Sequence, residues 1–196
     1  GLFKVDREKL RKVNSLGEMM IASRHGDFPI KKGDKVAGTR IIPLVIEEEK
    51  MQKACEVAGK EPIFRILPYQ KKKAGIVTTG SEVYYHRIED KFTPVVIEKL
   101  KECGVTEVKQ IQCNDDHEMI TEAIQTLIED GSDLIVCTGG MSVDPDDKTP
   151  LAIKNTGARI VSYGAPVLPG AMFLLAYYDR IEQGRNRRTV IMGLPG

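Results

Sequence analysis

Several things are scarce in this chain, and each scarcity removes a class of function. Its three histidines, His25, His86 and His117, lie far apart, and its four cysteines, Cys55, Cys103, Cys113 and Cys137, show no C-x-x-C spacing. A zinc site therefore has no ligand set, and the cysteines are expected to be reduced, mostly buried thiols. No apolar run approaches the roughly 20 residues needed to span a bilayer, and the start, Gly1-Leu2-Phe3-Lys4-Val5-Asp6-Arg7, is too charged for a signal peptide. A cytoplasmic location with no membrane partner follows as the expectation. Net charge is scarce too: 29 basic against 28 acidic residues leave a formal +1, so no field draws in nucleic acid. There is no Walker-type lysine after a glycine loop, no G-x-S-x-G and no paired His and Cys, which leaves P-loop and hydrolase chemistry unsupported.

What is present suits one ordinary α/β domain with a smaller appendage, since 41% of the 196 residues are hydrophobic and 29% charged. Residues 1 to about 72 read as a small α+β segment. Gly17 to Ile21 and Asp34 to Ile42 are candidate strands, Pro43 to Ala58 a candidate helix with Ile46, Met51, Ala54 and Val57 on one face, and Ile63 to Leu67 a strand. Pro68 to Lys73 is the linker candidate, its lysines a solvated approach to the next strand. From residue 73 to 196 the pattern alternates regularly. Strand-like Ala74–Thr78, Thr106–Gln112, Asp133–Thr138, Ala158–Val161 and Arg188–Met192 are separated by helix-like Pro94–Cys103, Asp116–Glu129, Pro150–Asn155 and Gly170–Glu182. Repeated βαβ predicts a three-layer α/β/α fold with a mainly parallel sheet. Thr93 is expected to cap the helix at Pro94, with Phe92, Val95, Val96 and Leu100 on its apolar face.

The chemistry concentrates in loops after the strands, which in open α/β sheets converge on one edge. The densest runs from Thr138 to Pro150: Gly139 and Gly140 let backbone amides approach an anion, Met141 and Ser142 follow, and Thr149 adds a hydroxyl. Asp144, Asp146 and Asp147 form a hard-oxygen cluster suited to Mg²⁺. The plain alternative is a turn with Thr149 capping a helix that starts at Pro150. Thr79-Gly80-Ser81-Glu82 offers hydroxyls and a glycine for a phosphate, or a simple βα turn. Asn114-Asp115-Asp116-His117-Glu118 has Asp115 three residues before Glu118, the form of a capping box, unless Asp115 faces the shared edge; His117 reads as a surface residue. Pro169-Gly170 would open a helix and so present free amides to an anion.

Taken as a set, Thr79 to Glu82, Arg87-Ile88-Glu89-Asp90, Asn114 to Asp116, Thr138 to Pro150, Pro169-Gly170 and Gly193-Leu194-Pro195-Gly196 resemble the molybdopterin-binding domain over residues 74 to 196. That family includes molybdopterin adenylyltransferase and molybdopterin molybdenumtransferase. The resemblance implies molybdopterin as ligand, Mg²⁺ as cofactor, and molybdate as a substrate of the insertion reaction. It matches Asp115 and Asp147 to the acidic positions used for metal and reaction chemistry. Thr79, Gly80, Ser81, Glu82, Thr138, Gly139, Gly140, Met141, Ser142, Thr149, Pro169 and Gly170 match positions that hold the ligand.

Gly140-Met141-Ser142-Val143 looks like the molybdenumtransferase form of the loop, and Asp147-Lys148-Thr149-Pro150 like the D-x-T-P of the adenylyltransferase. Residues 30 to 70 are more reminiscent of the multidomain molybdenumtransferase. Molybdenum insertion is therefore the expected activity, with adenylylation by ATP and a non-catalytic carrier as alternatives. Where relatives commonly carry glycine before Arg-Ile, this chain has His86, which puts a bulky side chain near the first loop. A symmetric homo-oligomer, dimer or trimer, is implied by the family and by the apolar segment from Gly170. The chain starts without Met and stops after a glycine, as expected of a piece of a longer protein.

Overall fold

The computed structural model describes residues 1–142 and 147–195. It divides into two compact units, Gly1–Tyr69 and Gln70–Gly196.

The first unit contains β1 (Leu2–Val5), α1 (Arg7–Asn14), β2 (Met19–Ser23), β3 (Phe28–Pro29), β4 (Ala37–Ile41), α2 (Glu48–Ala58) and β5 (Phe64–Leu67). β1 pairs antiparallel with β3 and β5, and β2 with β4. The sequence reading contains no counterpart of β1, α1 or the short β3. Yet α1 carries a local start signal, the Asp6 carboxylate accepting from the Lys9 amide. Val13, Met19 and Ala54 form the core of this unit. Helix α2 begins only at Glu48, not at Pro43, and Leu44 and Val45 before it are fully and largely exposed.

The second unit contains β6 (Lys72–Thr79), α3 (Ser81–Tyr84), α4 (Phe92–Glu102), β7 (Val105–Cys113), α5 (His117–Glu129), β8 (Leu134–Thr138), α6 (Thr149–Asn155), β9 (Arg159–Tyr163), β10 (Leu174–Glu182) and β11 (Arg185–Leu194). They build one sheet in the order β7-β6-β8-β11-β10-β9, in which β7, β6, β8 and β11 are parallel. Alternate residues of the central strands face opposite layers. Ala74, Ile76 and Val136 pack with Val96 and Leu100 of α4. Val77, Ile135, Cys137 and Ile191 pack with Ile120, Ile124 and Leu127 of α5 and with Ile153 of α6. The α/β class and the mainly parallel sheet are as the βαβ pattern predicts.

One helix of the reading is instead a strand. The segment from Gly170 to Glu182 contains β10, antiparallel to both β11 and β9. Leu174 and Ala176 are buried and alternate with half-buried Leu175 and Tyr177, which is period-two packing. The overlooked signal is the two-residue turn Gln183-Gly184, with φ of 50° and 74°, the conformation that joins hairpin strands.

Helix starts also differ in detail. Thr93 does not cap α4: Lys91 is the N-cap, and the preceding Asp90 serves the first turn, its Oδ1 accepting from the Phe92 and Thr93 amides at 3.1 and 3.0 Å. On α4 the buried residues are Thr93, Val96 and Leu100, while Phe92 and Val95 are exposed. Asp116, not Asp115, caps α5 through the Met119 and Glu118 amides. Those bonds hold the Asp116 carboxyl below the usual range. Cys113 and Cys137 are buried as expected, but Cys55 and Cys103 are exposed. Burial, with neighbouring Cys113, pushes the Cys137 thiol up to about 12, so it is inert.

Candidate functional site

Four strands end at one edge of the sheet because β6, β7, β8 and β11 run the same way. The antiparallel steps from β11 to β10 and from β10 to β9 turn β9 back into that direction, and Leu174 opposes both Tyr163 and Gly193. The connection from Gly164 to Phe173 therefore opens at the same edge. The described residues of the loops after β6, β7, β8 and β9 lie there.

The turn after β8 is held from beneath by the hydroxyls of two buried threonines. Thr79 Oγ1 donates to the Thr138 carbonyl at 3.2 Å, and Thr149 Oγ1 donates to the Gly139 carbonyl at 2.9 Å. Each hydroxyl has one proton, so the 3.4 Å separation of Thr79 Oγ1 and Thr149 Oγ1 is a close approach rather than a third strong bond. Thr149 occupies the first turn of α6 with Lys148 at the N-cap, so its hydroxyl serves the glycine turn, not the helix end. Gly139 has φ of 86°, and a Cβ there would lie 2.4 Å from the Thr79 carbonyl oxygen; at Gly140 it would lie 2.8 Å from Thr149 Oγ1. Only glycine fits at these two positions. Met141 is 2% exposed and belongs to the core, filling the space left by Gly193. It anchors the loop, while the next residue, Ser142, is exposed.

Two polar atoms at this turn are buried with no hydrogen-bond partner among the described residues: Thr138 Oγ1 and Asp147 Oδ2. Enclosed oxygens of this kind are costly unless a cation, a water or a ligand group completes them. Asp147 directly precedes the N-cap of α6, the helix whose first residue, Thr149, braces the glycine turn. Asp144 and Asp146 lie outside the described residues, and among the described residues no group of three or more His, Cys, Asp or Glu converges. The chemistry of Asp147 fits a hard divalent cation such as Mg²⁺.

Asp115 is brought to the same edge. Its Oδ2 accepts from both the Ser81 amide and the Ser81 hydroxyl, each at 2.8 Å. It thus satisfies the first turn of α3 across two loops, a pairing that sequence spacing could not show. Glu82 is exposed in the same turn. Gly80, with φ of 132°, forms the bend between β6 and α3. His117 is half-buried rather than on the surface, and its Nδ1 is enclosed without a partner among the described residues. Pro169 is exposed, and Gly170 leads into a strand rather than a helix. The anion site expected from a helix start at Gly170 is therefore not formed among the described residues.

Between the Gly139 turn and the 88–92 segment opens a cavity of about 370 Å³, lined by Thr78, Val83, Ile88, Asp90, Phe92 and Thr138 together with Thr79 and Gly139. Beneath it runs a network that the sequence reading missed. Thr78 Oγ1 and Thr93 Oγ1 are 2.9 Å apart, and Gln110 Nε2 lies 3.1, 3.0 and 3.3 Å from Thr78 Oγ1, Asp90 Oδ2 and Thr93 Oγ1. Partial burial pushes the Asp90 carboxyl up, but the bonds from Thr93, Phe92 and Gln110 outweigh it and hold the group below the usual range. The cavity thus combines the apolar side chains of Val83, Ile88 and Phe92 with the charged residues Glu89, Asp90 and Lys91, a mixture that suits a small molecule. His86 does not line it. The residue is exposed, with φ of 55°, a left-handed conformation that glycine adopts without strain.

The pattern of glycine turns and carboxylates at one edge of this sheet corresponds to a family whose profile, described as "Probable molybdopterin binding domain", matches residues 75–196, more than half of the chain. The chain belongs to the molybdopterin-binding domain family. A CinA-like protein of Mycobacterium tuberculosis (strain ATCC 25177 / H37Ra) is 38% identical over 77 residues, 39% of this chain and 18% of that protein. The chain thus matches less than a fifth of that relative's length. Among solved structures, the tungsten cofactor synthesizing protein MoaB from Pyrococcus furiosus superposes with a TM-score of 0.54 and 25% identity, over 66% of this chain and 84% of that one. The protein CinA from Thermoplasma acidophilum shares the fold, with a TM-score of 0.51 and 19% identity over 64% of this chain and 89% of that one.

Proposed function

We propose that this protein binds adenylylated molybdopterin with Mg²⁺ and promotes insertion of molybdenum from molybdate, releasing AMP. The observation that carries the reading is Asp147 Oδ2, an enclosed carboxylate oxygen without a partner among the described residues, just before the α6 N-cap and the Thr149 that braces the glycine turn. Such an oxygen is what a cation-assisted phosphate site requires in advance of its ligand. Bound there, Mg²⁺ would neutralise phosphate charge; Asp147 would hold it, with Asp144 and Asp146 assisting. Gly139 and Gly140 bring backbone close to the phosphate. Asp115 keeps the Ser81 turn in place beside it. The cavity beside Gly139 receives the ring system, its apolar walls excluding water.

Adenylylation by ATP is the second reading, favoured by the Asp147-x-Thr149-Pro150 segment, in which Thr149 braces the glycine turn. Quantifying products separates the two. Incubation with adenylylated molybdopterin, molybdate and Mg²⁺ should release AMP. Pyrophosphate formed from molybdopterin and ATP would favour adenylylation instead, and tight binding without either product would mark a carrier. Asp147→Asn should abolish the Mg²⁺-dependent part of ligand affinity and turnover; full retention of both would overturn the assignment. A symmetric homo-oligomer, dimer or trimer, is part of the same proposal and is checked by the mass of the protein in solution.

A further inference from the structure

The cavity wall from Ile88 to Phe92 and the segment Tyr85–Arg87 that leads into it are mostly exposed, and their bonds are almost all local. Tyr85, His86, Arg87 and Ile88 amides return to Ser81, Val83 and Glu82 carbonyls, and Asp90 Oδ1 accepts from Phe92 and Thr93 just after it. Among the described residues, one hydrogen bond ties this wall to the sheet: Gln110 Nε2 donates to Asp90 Oδ2 at 3.0 Å. The same nitrogen lies within hydrogen-bond distance of Thr78 Oγ1 and Thr93 Oγ1, at the end of β6 and the start of α4. A primary amide has two protons, so it can serve the wall and the strand end together. A methionine has the length but no donor, and a glutamate would present a like charge to an ionised Asp90.

We propose that Gln110 is a positioning residue for the ligand cavity: by holding Asp90 to the end of β6, it fixes the gap between the 88–92 wall and the Gly139 turn. The inference rests on the molybdopterin reading above, because that reading makes the gap a ring-binding site. Gln110 touches no reacting atom. It acts by limiting how far Ile88 and Phe92 can move from Thr138 and Gly139, so its loss raises the ordering cost of binding. It lies on an exposed part of β7, an edge strand, so its replacement leaves the core intact.

The test compares Gln110→Met, Gln110→Glu and the polarity-swapped double variant Asp90→Asn/Gln110→Glu in the full chain. In the double variant the amide introduced at position 90 keeps an oxygen for the Phe92 and Thr93 amides and offers its NH₂ to the carboxylate introduced at position 110. Two quantities are read: amide hydrogen exchange at residues 86–92 without ligand, and molybdopterin affinity with Mg²⁺. Gln110→Met should speed exchange there, and weaken affinity, by about tenfold each, with exchange along α5 unchanged. Gln110→Glu should do more, and the double variant should return both towards wild type. Unchanged exchange in Gln110→Met, faster exchange with wild-type affinity, or no recovery in the double variant would each overturn the proposal. If the wild-type protein fails to bind molybdopterin, the functional reading falls instead, and the exchange arm, needing no ligand, still decides whether Gln110 holds the wall.

Discussion

On one side of the cavity stand Thr79 and Thr138, exposed by 5% and 4%; on the other stand Ile88 and Phe92, exposed by 53% and 42%. The glycine-turn side is locked by buried hydroxyls, by close backbone contact and by Met141 in the core. The outer wall depends on one amide and on local turns. The difference separates two tasks: a phosphate and its cation need fixed donors and acceptors, whereas a wall that admits a ring must leave a way in. It also explains why the two sides should respond to substitution so differently.

The largest effect is expected where the turn is tightest. Gly139→Ala places a methyl group 2.4 Å from the Thr79 carbonyl oxygen at a φ of 86°, and should destabilise the protein by about 3 kcal/mol, read from chemical denaturation. A cost under about 0.5 kcal/mol would mean the turn is not held as described. Thr149→Val removes the donor to the Gly139 carbonyl at 2.9 Å and should cost about 1–2 kcal/mol, since the group is fully buried. Equal stability of this variant and wild type would place that side with the outer wall.

On the outer wall, Asp90→Asn should have a modest, pH-dependent effect. The Asp90 pKa is lowered in the folded protein, so its contribution is present above the unfolded value of about 3.9 and is lost as pH falls through the lower folded value. The stability gap between wild type and Asp90→Asn should therefore be constant near neutral pH and close only in acid. A gap that widened in acid would contradict the sign. The smallest effect is expected at His86, where φ is 55°. His86→Gly removes left-handed strain but adds unfolded-state entropy, and should stabilise by less than about 1 kcal/mol. Its ligand affinity should match wild type because His86 does not line the cavity; altered affinity would show that the bulky side chain near the first loop acts on the ligand.

Much of the central sheet was legible because its signals are local. The apolar runs of β6, β8 and β11, the period of α5 and the glycines after each element all specify the parallel half before any contact forms. Carboxylates were placed less well. Asp115 and Asp116 are adjacent, and either could cap α5; only the position of Ser81 shows that Asp115 turns away to the neighbouring loop while Asp116 caps the helix. In the same way Asp90 is one acidic residue among several, until Gln110 arrives from a strand twenty residues later.

Composition, periodicity and the order of the loops thus determined the α/β class, the shared sheet edge and the glycine-and-carboxylate chemistry, because each depends on residues close in the chain. Tertiary structure decided that Leu174–Glu182 is a strand: beyond the turn at Gln183-Gly184, an apolar segment looks alike as helix or strand until partners on both sides take its backbone hydrogen bonds. It also decided which hydroxyls are enclosed as bracing, which carboxylate oxygen is left enclosed without a partner among the described residues, and which distant amide holds the wall of the cavity. Those outcomes depend on burial and on hydrogen bonds between residues far apart in the chain, and neither exists before the sheet closes.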